Sequence, residues 1–403
     1  MPEIGEIARI VHFLKKHVVG KTISAVKTQE DDIVYGKVGC SATAFSKAMT
    51  GKKVLDARQQ GKYFWLVMSS PPHPLMHFGM TGWIKFSNDD NAHYRSNGVV
   101  KPEEAEWPPR FWKFILQIKE EPDCEVAFVD GRRLGRIRLV DVEGDMMRKT
   151  TPLKENGPDP VIDSDILTQE WLAKKLRSKK VPVKALLLDQ ANISGVGNWV
   201  GDEVLYQAKL HPEQYSNTFS DEQIQRLHDS LIDVCTTACT TLAESSKFPE
   251  NWLMRHRWNK GKEGGDRLPN GEKIIFLKVG GRTSAVIPSV QKKTGPVSAG
   301  IKGEGDDDED GVEEKKSKKA KGRGKAVDDE ASPKSPAAKR GRKTKQPEPD
   351  SELSDEEEDE VKPKKKQKLA TNGTARKTTK GDTSTKIKEE TPGKRRSTRN
   401  SAG

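Results

Sequence analysis

Between Lys184 and Tyr206 the sequence KALLLDQANISGVGNWVGDEVLY begins as an apolar helix, stops at two glycines, and resumes as a second helix. Lys184, Ala185, Leu186, Leu187 and Leu188 form one buried helical face, and helical periodicity returns from Trp199 to Gln207. Gly195 and Gly197 supply the unrestricted backbone that a tight turn needs. Asn198 therefore starts the second helix, where unpaired N–H groups and the positive end of the helix dipole face outward. A DNA phosphate is a natural ligand for such a place. An ordinary helical hairpin with close-packed glycines has the same pattern, so the turn alone does not decide function.

The material for a core ends well before the chain does. From about Lys293 to Gly403 no aromatic residue occurs and almost no apolar one, so 294–403 is expected to be a disordered charged tail. Acidic runs such as GDDDEDGVEE and SDEEEDEV alternate there with basic runs such as KKSKKAKGRGK, KRGRKTK and KPKKKQK. The basic blocks read as nuclear localisation signals for an import receptor, or as non-specific DNA tethers. The 403 residues carry a net charge of +11, which suits a polyanion without separating DNA from RNA or anionic lipid.

Cys40, Cys124, Cys235 and Cys239 form no paired framework, in keeping with a reducing compartment. Cys235 and Cys239 lie one helical turn apart, but no His or second Cys pair completes a four-ligand site. Core packing is their expected role, and neither metal nor any other cofactor is anticipated. No apolar run is long enough for a membrane span and no signal peptide precedes the fold, so a soluble nuclear monomer without a membrane partner is expected.

Hydrophobic periodicity divides the rest. An amphipathic helix over roughly Gly5 to His17 carries Ile7, Ile10, Val11 and Leu14 on one face. Seven strand-like segments follow: KTISAVKTQ, KKVLDARQQ, KYFWLVMS, LMHFGMTGWIKF, FWKFILQI, CEVAFVD and RIRLVDV. The expected fold class is α+β. An N-terminal β-sandwich with its helix fills 1–150, a helical domain 151–250, and a β-hairpin of IIFLKV, Gly280–Gly281 and TSAVIPSV lies within 251–293.

The first three residues carry chemistry if the initiator methionine is removed, as is normal before proline. Pro2 would then be a free secondary amine with a reference pKa of about 8, a nucleophile near neutral pH. When it attacks a sugar carbon and the ring opens, the iminium formed has no N–H proton to lose. That persistent cation acidifies the neighbouring carbon, and the attached phosphate is eliminated. Glu3 beside it is placed to act as general acid or base.

Together these segments resemble the formamidopyrimidine-DNA glycosylases, and especially their plant and fungal branch. PEIGEIARI is similar to that family's catalytic start, GKYFWLVM and HFGMTG to its central strands and loop, and DGRRLGRIRL to its intercalating loop. LLLDQANISGVGNWVGDEVLYQAKLHP resembles its helix-two-turns-helix, and GGRTSAVIPSVQK the terminal hairpin of members lacking zinc. Cysteines that hold the hairpin in zinc-bearing relatives have no counterpart after Cys239, which implies a zincless finger.

The resemblance implies roles for individual residues. Pro2 becomes the amine, Glu3 the acid that protonates sugar or leaving base, and Glu6 the group that orients them. Lys62 would grip phosphate at the lesion, Lys184 would face the lesion pocket, and Asn198, beside Gly197, would pin flanking phosphates together with Arg282. Met80, Arg132 and Leu134 would fill the gap left by a flipped nucleotide. Leu134 stands where the bacterial branch has phenylalanine, so aromatic stacking is lost there.

The implied activity is bifunctional: excision of oxidised purines from damaged double-stranded DNA through a Schiff base at Pro2, then strand cleavage by β,δ-elimination. Where bacterial relatives have a glycine- and threonine-rich lid, this chain reads AESSKFPENWLMRHRWNKGKEGG. Formamidopyrimidines, hydantoins and abasic sites are therefore expected to be better substrates than 8-oxoguanine. The alternatives are an endonuclease-VIII-like enzyme for oxidised pyrimidines and a non-catalytic damaged-DNA binder.

Overall fold

The structure is a computed structural model that describes residues 2–92, 106–259 and 266–297. It opens with helix α1 (Ile4–His17), whose extended N-cap residue, Glu3, donates its N–H to Glu6 Oε2 at 3.0 Å. That bond satisfies a donor with no intrahelical partner. Lys15, Lys16 and His17 fill the last turn, where positive charge suits the helix dipole.

Among the described residues, eight strands follow in the N-terminal half: β1 (Ile23–Thr28), β2 (Val54–Gln60), β3 (Tyr63–Met68), β4 (His73–His77), β5 (Trp83–Phe86), β6 (Trp112–Ile118), β7 (Glu125–Val129) and β8 (Arg136–Val140). They form two antiparallel sheets, ordered β1-β6-β7-β5 and β2-β3-β4-β8. Phenylalanines from both sheets fill the space between them: Phe64 and Phe78 have ring centroids 4.6 Å apart, Phe78 and Phe128 5.6 Å, Phe114 and Phe128 5.7 Å. This is the expected sandwich, with two local differences.

The segment LMHFGMTGWIKF is two strands in different sheets. Gly79 has a left-handed φ of +63°, and Gly82 donates to Phe78 O at 3.0 Å, so the chain turns between β4 and β5. A short helix, α2 (Ala42–Met49), was not evident in the sequence. Ser41 caps it by accepting from Ala44 N at 3.0 Å, and Ala42, Phe45 and Met49 enter the sandwich core.

The second half is helical: α3 (Gln169–Arg177), α4 (Val183–Leu188), α5 (Asn198–Gln207) and α6 (Asp221–Thr240). Its core includes Leu172, Leu186, Leu187, Val200, Val204, Leu227 and Leu231, and it also takes in Ile4. Ile7, Ile10 and Leu14 belong to the sandwich core instead. Helix α1 thus has its first turn in one core and the remainder in the other.

Strands β9 (Ile275–Val279) and β10 (Arg282–Val286) form the hairpin. Gly280 and Gly281 both have positive φ, +60° and +78°, which a two-residue turn matching strand twist requires. A Cβ on Gly280 would lie 2.9 Å from Ala185 Cβ, so the hairpin tip rests on α4. Residues 294–297, assigned above to the tail, are held in place: Tyr215 N donates to Pro296 O at 3.0 Å and Thr294 N to Gln214 Oε1 at 3.3 Å. The rest of the charged tail lies outside the described residues.

Candidate active site

The start of α5 is capped from a distance of nearly two hundred residues. Trp199 N donates to Glu3 Oε1 and Val200 N to Glu3 Oε2, each at 3.0 Å. The anion at this helix start is therefore the chain's own carboxylate, which corrects the expectation of a DNA phosphate there. Helix N-termini attract anions generally, and the turn brings Glu3 close enough to win. Gly197 makes the approach possible, because a Cβ there would sit 2.1 Å from Glu3 Cδ. Gly195, with φ +91°, abuts the Ile4 side chain and accepts from Ile4 N at 3.2 Å through its carbonyl. Pro2 is buried at this junction of the two cores.

Glu6 accepts from the Trp199 indole N–H at 3.1 Å as well as from Glu3 N. Burial and the neighbouring Glu3 charge raise its pKa to about 7. Lys62 is buried just past the end of β2, where Gly61 (φ +57°) packs on Ser194 and Gly195. Burial lowers its pKa to about 8, against the pull of Glu3 and Glu6, while Arg282 and Lys184 push in the same direction as burial. Its ammonium has no hydrogen bond or ion pair among the described residues. Beside it, His77 accepts from Gly79 N at 3.0 Å through Nδ1. Burial first, then Lys62, Arg138 and Arg136, hold this imidazole at a pKa of about 3. Pro2, Glu3, Glu6, Lys62, Gly197 and Asn198 thus converge around the start of α5.

Lys184 does not face an open pocket, contrary to expectation. It is 0% exposed, and its ammonium donates to Asn198 O at 2.6 Å and pairs with Asp202 Oδ1. Asp202 also accepts from Arg257 at 2.6 Å and from Ala285 N at 3.1 Å. This network pins β10 to α5. Asn198 adds a second tie, its amide nitrogen donating to Thr283 O at 2.9 Å. Arg282, next to Thr283, is held half-exposed at the hairpin turn. Nothing in the sequence marked Asp202, which lies four residues after Asn198 and beside a second carboxylate, Glu203.

Met80, Arg132 and Leu134 lie on two loops that touch. A Cβ on Gly79 would be 2.5 Å from the Leu134 carbonyl, so the Met80 loop packs directly on the Leu134 loop. Asp130 organises the pair: it accepts from Thr81 Oγ1 at 3.0 Å, Arg132 N at 3.2 Å and Gly135 N at 2.6 Å. Arg132 is exposed and Leu134 half-buried. Sequence reasoning missed Asp130, although an aspartate before a glycine-rich turn is a known organiser of backbone N–H groups.

A two-sheet sandwich joined by one shared helix to a helix–turn–helix and a hairpin, with acid, base and cations gathered at the join, defines a class of DNA-processing enzyme. Residues 1–137 match the formamidopyrimidine-DNA glycosylase N-terminal domain, and residues 157–250 the helix-two-turns-helix domain of the same enzymes. A formamidopyrimidine-DNA glycosylase of Arabidopsis thaliana is 35% identical over 76% of this chain and 77% of its own length. One from Pediococcus pentosaceus is 32% identical over 58% and 76%. A point mutant of the Lactococcus lactis enzyme, solved with DNA containing Fapy-dG, superposes with a TM-score of 0.58 at 25% identity, covering 72% of this chain and all of that one. The wild-type Lactococcus lactis enzyme with DNA containing an oxidised pyrimidine gives the same values. The chain belongs to the formamidopyrimidine-DNA glycosylase family. It is a DNA-binding glycosylase and abasic-site lyase of base excision repair.

Proposed function

We propose that this enzyme excises ring-opened and further-oxidised purines with Pro2 as nucleophile. The observation that carries the reading is the double hydrogen bond from α5 to Glu3, which fixes the first residues of the chain beside Glu6 and Lys62. The Pro2 nitrogen attacks C1′ of the damaged nucleotide as the glycosidic bond breaks, and Glu3 takes the proton that the amine loses and passes it to the sugar oxygen or the departing base. The iminium then withdraws electrons, C2′ loses a proton, and the 3′ phosphate leaves by β-elimination; δ-elimination releases the 5′ phosphate. Glu6, with a pKa of about 7, can exchange protons on either side of neutrality. Lys62 binds phosphate at the lesion, Asn198 and Arg282 pin the flanking phosphates while Asn198 also ties the hairpin that carries Arg282, and Met80, Arg132 and Leu134 fill the gap.

The segment that replaces a bacterial-type lid supports the lesion preference. The Phe248 and Trp252 rings pack against each other at a tilt, with centroids 4.8 Å apart, and Phe248 lies 5.6 Å from Trp199. Arg257 is tied to Asp202, so 248–257 is packed onto α5; residues 260–265 lie outside the described part. Formamidopyrimidines, hydantoins and abasic sites are accordingly the preferred substrates, with 8-oxoguanine weaker. The relative solved with oxidised-pyrimidine DNA makes pyrimidine lesions the second class to assay.

The hairpin works without metal, packed through Ala285 and Ile287 against Leu253, Leu268 and Ile274. The protein acts as a monomer and enters the nucleus through an import receptor that reads the basic blocks of the tail. Borohydride reduction in the presence of abasic duplex is the central test: the adduct should map to Pro2 by mass spectrometry. An adduct on any lysine would overturn the assignment.

A further inference from the structure

Phe111 is the most conspicuous aromatic side chain near the gap-filling loops. It precedes β6, stands 56% exposed, and has a left-handed φ of +60° although it is not glycine. A large side chain held both strained and out in solvent is a pattern found at binding sites. Its place is set by the loop that carries Arg132. Asp130 N donates to Phe111 O at 3.1 Å, and a Cβ on Gly131 would lie 3.2 Å from the Phe111 ring, so the ring lies on the Gly131 backbone. Arg110 lies over the same ring at 5.1 Å, and the exposed Arg132 stands on the adjoining turn, whereas Arg133 there is paired with Asp31 at 3.0 Å. Arg110 and Arg132 place positive charge near Phe111, which suits a DNA backbone passing beside the ring.

We propose that Phe111 is an additional stacking residue of this enzyme, its ring resting on a base that borders the gap left by the flipped nucleotide. Leu134 offers no aromatic surface, and Phe111 supplies it from the turn that leads into β6. Sequence-tolerant stacking of this kind uses the π-face that every base has. The inference rests on the reading of Met80, Arg132 and Leu134 as the gap-filling group.

The test uses the full chain and duplexes carrying a tetrahydrofuran abasic analogue, with 2-aminopurine placed in turn at each position bordering the gap. The parental protein should quench one of these probes. F111A should lose that quenching and bind the duplex about tenfold more weakly, whereas F111W should restore both. Because the ring is exposed, the melting temperature of F111A should stay close to the parental value. Parental quenching and affinity in F111A would overturn the proposal, as would recovery of affinity in F111G, since relief of backbone strain would then explain the effect. R132A separates the two layers of inference: if R132A leaves affinity and quenching intact, the gap-filling reading fails, and if only F111A does so, Phe111 alone is misassigned.

Discussion

Two buried ionic clusters lie along α5, and they are built to different ends. In the interior one, Lys184 and Arg257 both reach Asp202, which also takes the N–H of Ala285, so each charge meets its opposite. At the helix start, Glu3 and Glu6 share a buried place with Lys62, whose ammonium is bonded to neither of them. Glu6 is pushed up to about 7 and Lys62 down to about 8, chiefly by burial. A completed network locks a hairpin to a helix, while an uncompleted one holds groups near the pH at which they can trade protons or accept a phosphate. The contrast separates structure from chemistry within one helix.

The largest effect should come from the completed cluster. D202A leaves two buried cations without their anion and should cost about 3–5 kcal/mol in urea unfolding. A loss below about 1 kcal/mol would mean that solvent reaches the network and that the contrast is drawn in the wrong place. The opposite sign is expected at Lys62. K62M removes a charge that burial disfavours and should leave stability equal or raise it by up to about 3 kcal/mol, while lesion binding falls. Destabilisation of K62M comparable to D202A would erase the distinction.

Glu6 gives a pH signature. Its folded pKa of about 7 exceeds the ordinary value of 4.5, so the folded state holds an extra proton between those values and stability should decline as pH rises through that window. The same group should place an inflection near pH 7 in single-turnover excision, absent in E6Q. An identical pH profile for E6Q would assign the titration elsewhere. The smallest effect is expected outside both clusters: truncation after residue 297 should leave melting and single-turnover excision nearly intact. It should weaken binding to undamaged duplex at low salt, with convergence at high salt. Loss of excision at saturating enzyme would make the tail part of the catalytic body.

Periodicity made much of this architecture legible in the sequence. Strands with alternating apolar residues, the glycine-interrupted helix and the Gly280–Gly281 turn each carry local information about backbone shape, and each formed as read. The break between β4 and β5 was hidden because apolar residues continue through it, and only backbone geometry at Gly79 and Gly82 decides it. At the site, Pro2 and Glu3 were legible as chemical types and Lys62 only through the family motif, but their partners were not. Nothing local in Glu3 announces that it binds Trp199 N and Val200 N, and nothing in Lys184 announces Asp202. Such contacts depend on two cores meeting, which sequence spacing does not encode.

The division of α1 between those cores bears on how the enzyme is made. Glu3 and Ile4 leave the ribosome almost two hundred residues before the groups that hold them, Gly195, Trp199 and Val200. Until those groups are present, the first turn of α1 lacks these partners. Assembly of the reaction centre therefore waits for α5, and a chain that stops before residue 195 lacks all three of the groups that hold Glu3 and Ile4 in place.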